Sequence, residues 1–265
     1  MTDDVLKKIY AAKATRLAQE MAREPYEALV ERARASVAGR RPFLDALRAR
    51  SGSAIIAEIK RASPSAGLIA REFDPAAIAS VYDGAGAHAI SVLTESDHFL
   101  GDLAFLATVR EVTRLPLLRK DFLTTPYQVA QAAAYGADAI LLIVAGLDDA
   151  QMRAALDEAR LYQLDALVEV HDSRELDRAL ALGAQFVGIN NRNLRTMITD
   201  LAVSEHLLPR VPEGVFAISE SGMRSLEDLE RLRAAGARGF LIGEALMRAE
   251  DPAALIASLQ RVNAR

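Results

Sequence analysis

The amino-acid sequence predicts an α/β fold, a (β/α)8 barrel with an N-terminal helical extension, and three observations carry that prediction. From Ala54 onward, short β-branched or aliphatic runs alternate with Ala-, Leu- and Arg-rich amphipathic stretches, the pattern of βα units around a parallel sheet. The apolar runs number eight, at about 54–59, 88–93, 116–119, 138–144, 165–170, 185–190, 215–219 and 238–242. Gly-Ala pairs recur at Gly86-Ala87, Gly136-Ala137, Gly183-Ala184 and Gly236-Ala237, with separations of 50, 47 and 53 residues. Glycine suits the left-handed cap that ends a helix. Each interval holds one further strand, so the repeating unit is two βα modules and four such units make eight. A doubly wound sheet would carry a Gly-rich dinucleotide turn after its first strand, but Lys60-Arg61-Ala62-Ser63-Pro64-Ser65 stands there without GxGxxG. The expectation is one TIM-barrel domain over residues 1–265, with 1–50 as the helical extension.

Composition bounds the rest. A chain of 265 residues with 51% hydrophobic content can bury a large core, as two small domains or one barrel, and the strand repeat selects the barrel. The formal net charge is −4 with both signs interspersed, which argues against a nucleic-acid surface while leaving room for an anionic small molecule met by local Lys or Arg. There is no Cys, so disulfides, thiolate nucleophiles and Cys-built metal centres are excluded, and the four His, at 88, 98, 171 and 206, have no metal-ligand spacing. An enzyme without metal or organic cofactor fits. The first 20 residues are charged throughout, with no signal-peptide core, and no later run is long enough to span a bilayer. A cytoplasmic location is expected.

Taken in order, residues 3 to about 36 read as helix, with Val5, Ile9, Ala12, Arg16 and Leu17 as a stripe and Pro25 tolerable at the start of a second helix. Barrel active sites lie at the C-terminal strand ends. Strand one ends in Glu58, Lys60 and Ser63, strand two in Ser91, Thr94 and Glu95, and strand three in Arg119, Lys120 and Asp121. Strand four, ILLIVAG, contributes almost nothing ionic. Strand five ends in Glu169 and His171, strand six in Asn190, Asn191 and Arg192, strand seven in Ser219, Glu220, Ser221 and Gly222, and strand eight in Gly243 and Glu244.

Glu58 and Lys60 lie two apart, which on a strand places both on one face. Alone they read equally well as a buried salt bridge or as a site. Lys60 and Lys120 could share one mouth, where like charge would lower an ammonium toward a general acid or a Schiff-base nucleophile, with Glu58 and Glu169 as bases facing them. A strand-end Lys is commonly solvated, and a lone Glu often only holds a cation; several such residues at one rim favour a site. Gly222 and Gly243 follow strands seven and eight, where barrels often build a phosphate cradle from backbone N–H groups, and Ser63 could close it. Either glycine alone would be an ordinary turn residue. The Glu244 side chain is awkward beside an anion and would have to turn away. His88, His98 and His206 read as structural or surface residues, and His171 could tune the site.

These stretches resemble the indole-3-glycerol phosphate synthase family. The resemblance runs through IIAEIKRASPSAG at 55–67, SVLTESDHFLGDL at 91–103, LLRKDFL at 117–123, LVEVHD at 167–172, GINNRNL at 188–194, ISESGM at 218–223 and LIGEALM at 241–247. It implies a barrel with an extra N-terminal helix, no metal or organic cofactor, a phosphorylated small-molecule substrate and a monomer. By resemblance Lys120 protonates the ketose oxygen at ring closure, Glu169 is the base, and Glu58 and Lys60 assist proton transfer and orient the substrate carboxylate. Asn190 and Arg192 match positions that hold the substrate, and Glu220 and Ser221 complete the rim. Ser63, Gly222 and Gly243 match the phosphate site, while Phe99 and Leu142 are expected as apolar walls for the aromatic ring. A sugar-phosphate isomerase with a Cys–Asp pair is the nearest rival, and this chain has no Cys. A Schiff-base aldolase using Lys60 or Lys120 and an inactive phosphate-binding barrel are the others.

Overall fold

Successive side chains of a strand point to opposite faces of a sheet, and in this chain that alternation separates two cores. The computed structural model describes residues 5–49 and 52–260. Its parallel strands are β1 (Ala54–Ile59), β2 (Ala89–Leu93), β3 (Leu117–Lys120), β4 (Ala139–Ile143), β5 (Asp165–Val170), β6 (Phe186–Asn190), β7 (Phe216–Glu220) and β8 (Gly239–Ile242). Each pairs with its sequence neighbour, and β8 closes on β1 with Ala54 opposite Gly239. No strand end differs by more than one residue from the expected runs. Ile55, Ala57 and Ile59 of β1, with Ile140 and Leu142 of β4 and Val168 and Val170 of β5, pack outward against the helices. Ala54, Ile56, Leu118, Leu141, Ile143, Leu167, Ile218 and Leu241 fill the interior.

The helices that return the chain between strands are α4 (Pro75–Gly84), α5 (Ala104–Val112), α6 (Pro126–Ala134), α7 (Asp149–Leu161), α8 (Ser173–Ala181), α9 (Ala202–Leu207) and α10 (Leu226–Ala234), with α11 (Glu244–Arg248) and α12 (Pro252–Leu259) after β8. Their starts obey capping chemistry. Asp74, Asp148, Asp172, Ser225 and Asp251 each accept a backbone N–H of the first turn. Their ends explain the Gly-Ala repeat: Gly86, Gly136, Gly183 and Gly236 have φ of 84°, 91°, 84° and 119°, the left-handed region that other residues enter at a cost.

Three helices precede β1: α1 (Val5–Arg23), α2 (Tyr26–Ser36) and α3 (Phe43–Arg48). The expected helix therefore breaks at Glu24 and Pro25, with Pro25 capping α2, while residues 3 and 4 and the expected boundary at residue 50 fall outside the described residues. The buried stripe of α1 is Leu6, Ile9, Lys13 and Leu17, not the expected set running through Ala12 and Arg16. On that stripe, between Ile9 and Leu17, Lys13 leaves water to pair with Asp121, at 2.8 Å. Helix α3 closes the opposite end of the barrel. Phe43 stacks on Phe186 at 6.0 Å, and Phe186 on Phe216 at 5.9 Å, both at the first residues of their strands.

Candidate active site

The inward parity of each strand carries its last residue into one cavity. Continuing Ala54 and Ile56 gives Glu58; continuing Leu118 gives Lys120; continuing Leu167 gives Glu169. By the same alternation Phe186 leads to Asn190 and Phe216 to Glu220. The cavity has a volume of about 540 Å³ and a lining that is charged on one part and apolar on another. Of the residues expected from the sequence, Glu58, Lys60, Ser63, Phe99, Lys120, Glu169, Asn190, Arg192, Glu220, Ser221, Gly222 and Gly243 all line it.

Leu142 does not. It is fully buried in the layer between sheet and helices, and its neighbours Leu141 and Ile143 form the wall instead. A shift of one residue along a strand reverses the face. Phe122, Leu194, Met197 and Leu241 extend the apolar wall beyond Phe99, whose ring lies 6.0 Å from that of Phe122.

At the cavity floor Lys120 Nζ donates to Glu169 Oε2 at 3.0 Å and lies 3.4 Å from Glu220 Oε2. Burial opposes its charge, but Glu169, Glu220 and Glu58 outweigh burial and hold the ammonium above its usual range. The sequence-based expectation of a lowered lysine is thus overturned: carboxylates, not a second ammonium, dominate its surroundings. Lys60 is itself paired with Glu58 at 2.5 Å. Glu169, also buried, is held well below the ordinary carboxylate range because Lys120 and His171 outweigh desolvation. Glu220 goes the other way, pushed up to about 8 by burial first, with Lys120 opposing and Glu169 and Glu58 adding to the rise.

Two glycines make this crowding possible. A Cβ at Gly188 would overlap the Glu220 carboxylate, and one at Gly243 would overlap that of Glu58. Gly243 therefore serves a neighbouring carboxylate as well as the turn into α11. Ser221 and Gly222 are consecutive left-handed residues, with φ of 64° and 89°, turning the chain sharply after β7 beside Gly243.

The first loop folds back as a small antiparallel hairpin, Ala62–Ser63 against Gly67–Leu68. There Ser63 Oγ accepts from the Ala66 N–H at 3.2 Å, and Ser65 Oγ accepts from the Arg192 guanidinium. Arg192 also reaches Glu244 at 3.6 Å, and Arg248 holds the same carboxylate at 3.2 Å. Glu244 is thereby occupied by cations, although it remains part of the lining. Arg224 and Arg248 also line this rim; both lie beyond the strand ends, on a loop and a helix, where nothing in their spacing marks them.

The other polar strand-end residues are scaffolding. Asp121 takes Lys13, Thr94 and Arg119. Glu95 accepts the N–H groups of Asp97, His98 and Phe99 at 3.1, 2.8 and 3.0 Å and so shapes the loop that carries Phe99. Asn191 ties Ser219, Glu220 and Ser221 together. His88 accepts from Ile55 N–H at 2.9 Å. Among the described residues no group of His, Asp and Glu is arranged to hold a metal ion.

An array of carboxylates and ammonium groups beside an apolar wall, under a cationic rim, suits acid–base chemistry on a molecule with an aromatic end and an anionic end. A family model described as indole-3-glycerol phosphate synthase matches residues 6–259. A protein of that name from Acidithiobacillus ferrooxidans is 47% identical over 94% of this chain and 95% of its own length. Another, from Chromobacterium violaceum, is 45% identical over 97% of each. The fold is shared more widely. A crystal structure of 3-hexulose-6-phosphate synthase covers 79% of this chain and 99% of its own at 18% identity and a TM-score of 0.60. A thiamine phosphate pyrophosphorylase from Pyrococcus furiosus covers 81% and 96%, at 17% identity and a TM-score of 0.59.

Proposed function

The chain belongs to the indole-3-glycerol phosphate synthase family, and from that premise we propose the part each cavity residue plays in the reaction. The enzyme is a carboxy-lyase of tryptophan biosynthesis: it converts 1-(2-carboxyphenylamino)-1-deoxyribulose 5-phosphate to indole-3-glycerol phosphate, releasing CO2 and water. The observation that carries the assignment of roles is Lys120 Nζ held at 3.0 Å from Glu169 and 3.4 Å from Glu220 on the cavity floor.

Ring closure joins the aniline ring carbon that bears the carboxylate to the ketose carbonyl carbon, and the carbonyl oxygen gains negative charge as its π bond breaks. Lys120, kept as an ammonium by its carboxylates, donates a proton to that oxygen. Loss of CO2 returns the bonding electrons to the ring and restores aromaticity. The new hydroxyl then leaves as water, taking one proton from an acid while Glu169, held ionised, removes another from the closing ring. Glu220, whose carboxyl burial pushes up, is the one that most readily holds a proton and so limits the negative charge around Lys120. Glu58 and Lys60 orient the substrate carboxylate, and the pair can exchange a proton with it. Leu141, Phe99 and Phe122 hold the aromatic ring, and Asn190 and Arg192 hold the ribulose chain.

The phosphate lies at Ser63, Ser221, Gly222 and Gly243, under the charge of Arg192, Arg224 and Arg248. The active species is a monomer in the cytoplasm, a reading supported by family resemblance and testable by sedimentation. Among the described residues no helix is long and apolar enough to cross a membrane.

The test is direct. The folded protein, without added metal or nucleotide, is expected to turn the substrate into a product with indole fluorescence; no signal above buffer would remove the assigned activity. Lys120→Met is expected to keep the fold and lower kcat by about 10²–10⁴-fold. Native turnover in that variant would take the proton-donor role from Lys120.

A further inference from the structure

Glu169 is fully buried, and Lys120 occupies only one of its oxygens, Oε2. The other, Oε1, has no hydrogen bond among the described residues, and neither does Nε2 of His171. These two buried atoms face each other at 3.3 Å. The opposite ring nitrogen, Nδ1, is 3.0 Å from Glu175 Oε2, which also accepts the backbone N–H of His171 at 2.8 Å. Glu175 is in turn fixed by the start of α8, where its own N–H donates to the capping Asp172 at 2.8 Å. The imidazole is therefore clamped by a capped helix with its Nε2 set 3.3 Å from the second oxygen of Glu169.

We propose that His171 is a positioning residue for the catalytic base, a second cation that keeps Glu169 ionised and aimed while Lys120 is engaged by the substrate. The proposal rests on the reading of Glu169 as base. Its logic is one of sharing. When Lys120 turns to the ketose oxygen, Glu169 loses its nearest ammonium in a buried site crowded by Glu220, and a carboxylate without a partner there would take up a proton and cease to act as a base. A ring with a carboxylate oxygen near each nitrogen, 3.3 Å from Nε2 and 3.0 Å from Nδ1, is favoured in its doubly protonated, positively charged form. Burial pulls the ring down, but Glu169 and Glu175 outweigh it and raise His171 to about 10. The other titratable groups that face Glu169 are Lys120 of β3, Glu220 of β7 and Tyr10 of α1. Among these only Lys120 is a cation. Among the described residues His171 is thus the one positive charge at this base that the substrate does not compete for.

The experiment is the pH profile of kcat for His171→Gln, which keeps a hydrogen-bond donor and removes the charge. The acid-side midpoint is expected to move up by roughly one to three pH units, the effect of an opposite charge within ion-pair distance, with KM little changed. Glu175→Gln, altered at the more exposed end of the clamp, should move it in the same direction by less. Glu175→Gln also serves as the readout if His171→Gln does not fold. A uniform fall in kcat at every pH, with the midpoint unmoved in the folded variant, would mark His171 as merely structural and overturn the proposal. Glu169→Gln separates the two layers: loss of turnover leaves the base in place and lets the His171 result decide, whereas retained turnover would remove the base and the proposal with it. Imidazole nitrogen resonances give an activity-free check, since both nitrogens of His171 should be protonated at pH 8; a neutral tautomer there would also overturn it.

Discussion

Two glutamates face one lysine and are driven in opposite directions. Glu169 has Lys120 and His171 against it and stays ionised, whereas Glu220, 3.4 Å from Lys120 and with no hydrogen bond on either oxygen among the described residues, is pushed up to about 8 by its burial despite that lysine. A carboxyl raised above its ordinary value of 4.5 contributes stability that is complete below that value and is lost as pH climbs through 8. Glu220→Gln, neutral throughout, should remove this part of the pH dependence. The fall in Tm of the native enzyme between pH 5 and pH 9 is expected to be steeper than that of the variant. Parallel curves would show that Glu220 is ionised in the folded state at pH 5. The opposite shifts of the two carboxyls also set their chemistry apart, Glu169, held down, being the one suited to accept a proton.

At the scale of elements, strand parity decides which residues act and which only pack. Leu142→Ala should cost about 2–5 kcal/mol in denaturant unfolding, as a cavity opens between sheet and helices, and leave KM near native. Leu141→Ala, one residue away on the inner face, should raise KM. The reverse pattern would place the strand in the wrong register. This is also where sequence reading had least to work with. In β1 the polar residues Glu58 and Lys60 reveal which face points inward, but in ILLIVAG every position is apolar and the alternation leaves no trace. The strands themselves were legible to within one residue because β2, β4, β6 and β8 each follow a left-handed glycine and five of the following helices start at a side-chain cap. Lys13 was not legible, because a lysine on a helix is ordinarily solvated and its partner Asp121 lies 108 positions away. The same distance problem hid Tyr10, whose ring meets that of Phe122 edge-on at 5.7 Å. Arg224 and Arg248 are cations off the strands, indistinguishable in sequence from surface arginines.

For the whole molecule, charge sign and charge placement point different ways. The chain carries a formal net charge of −4, yet the cavity rim gathers Arg192, Arg224 and Arg248. A substrate with a carboxylate and a phosphate is repelled weakly by the whole and drawn by the rim, and over distances beyond a Debye length of about 8–10 Å salt removes both effects. Capture, being closer and stronger, should dominate. Raising ionic strength from about 0.01 to 0.5 M is expected to lower kcat/KM several-fold while kcat changes less. An unchanged kcat/KM would mean that the rim charge does not steer the substrate, with Arg192 and Arg248 acting only through their pairs with Glu244 and Ser65. Function thus follows from where the barrel concentrates charge rather than from how much the chain carries.

The two crowded glycines set a rule for how this catalyst can change over time. Gly188 and Gly243 vacate the volumes that the carboxylates of Glu220 and Glu58 occupy, so each acid shares its space with a position that has no chemistry of its own. A side chain entering position 188 must displace the Glu220 carboxylate, and one entering 243 must displace that of Glu58, so each glycine holds a catalytic-site acid in its present place. Substitutions at the paired positions are therefore coupled rather than independent. A library that diversifies the acids and bases while holding the glycines would explore only shapes that the present site already permits.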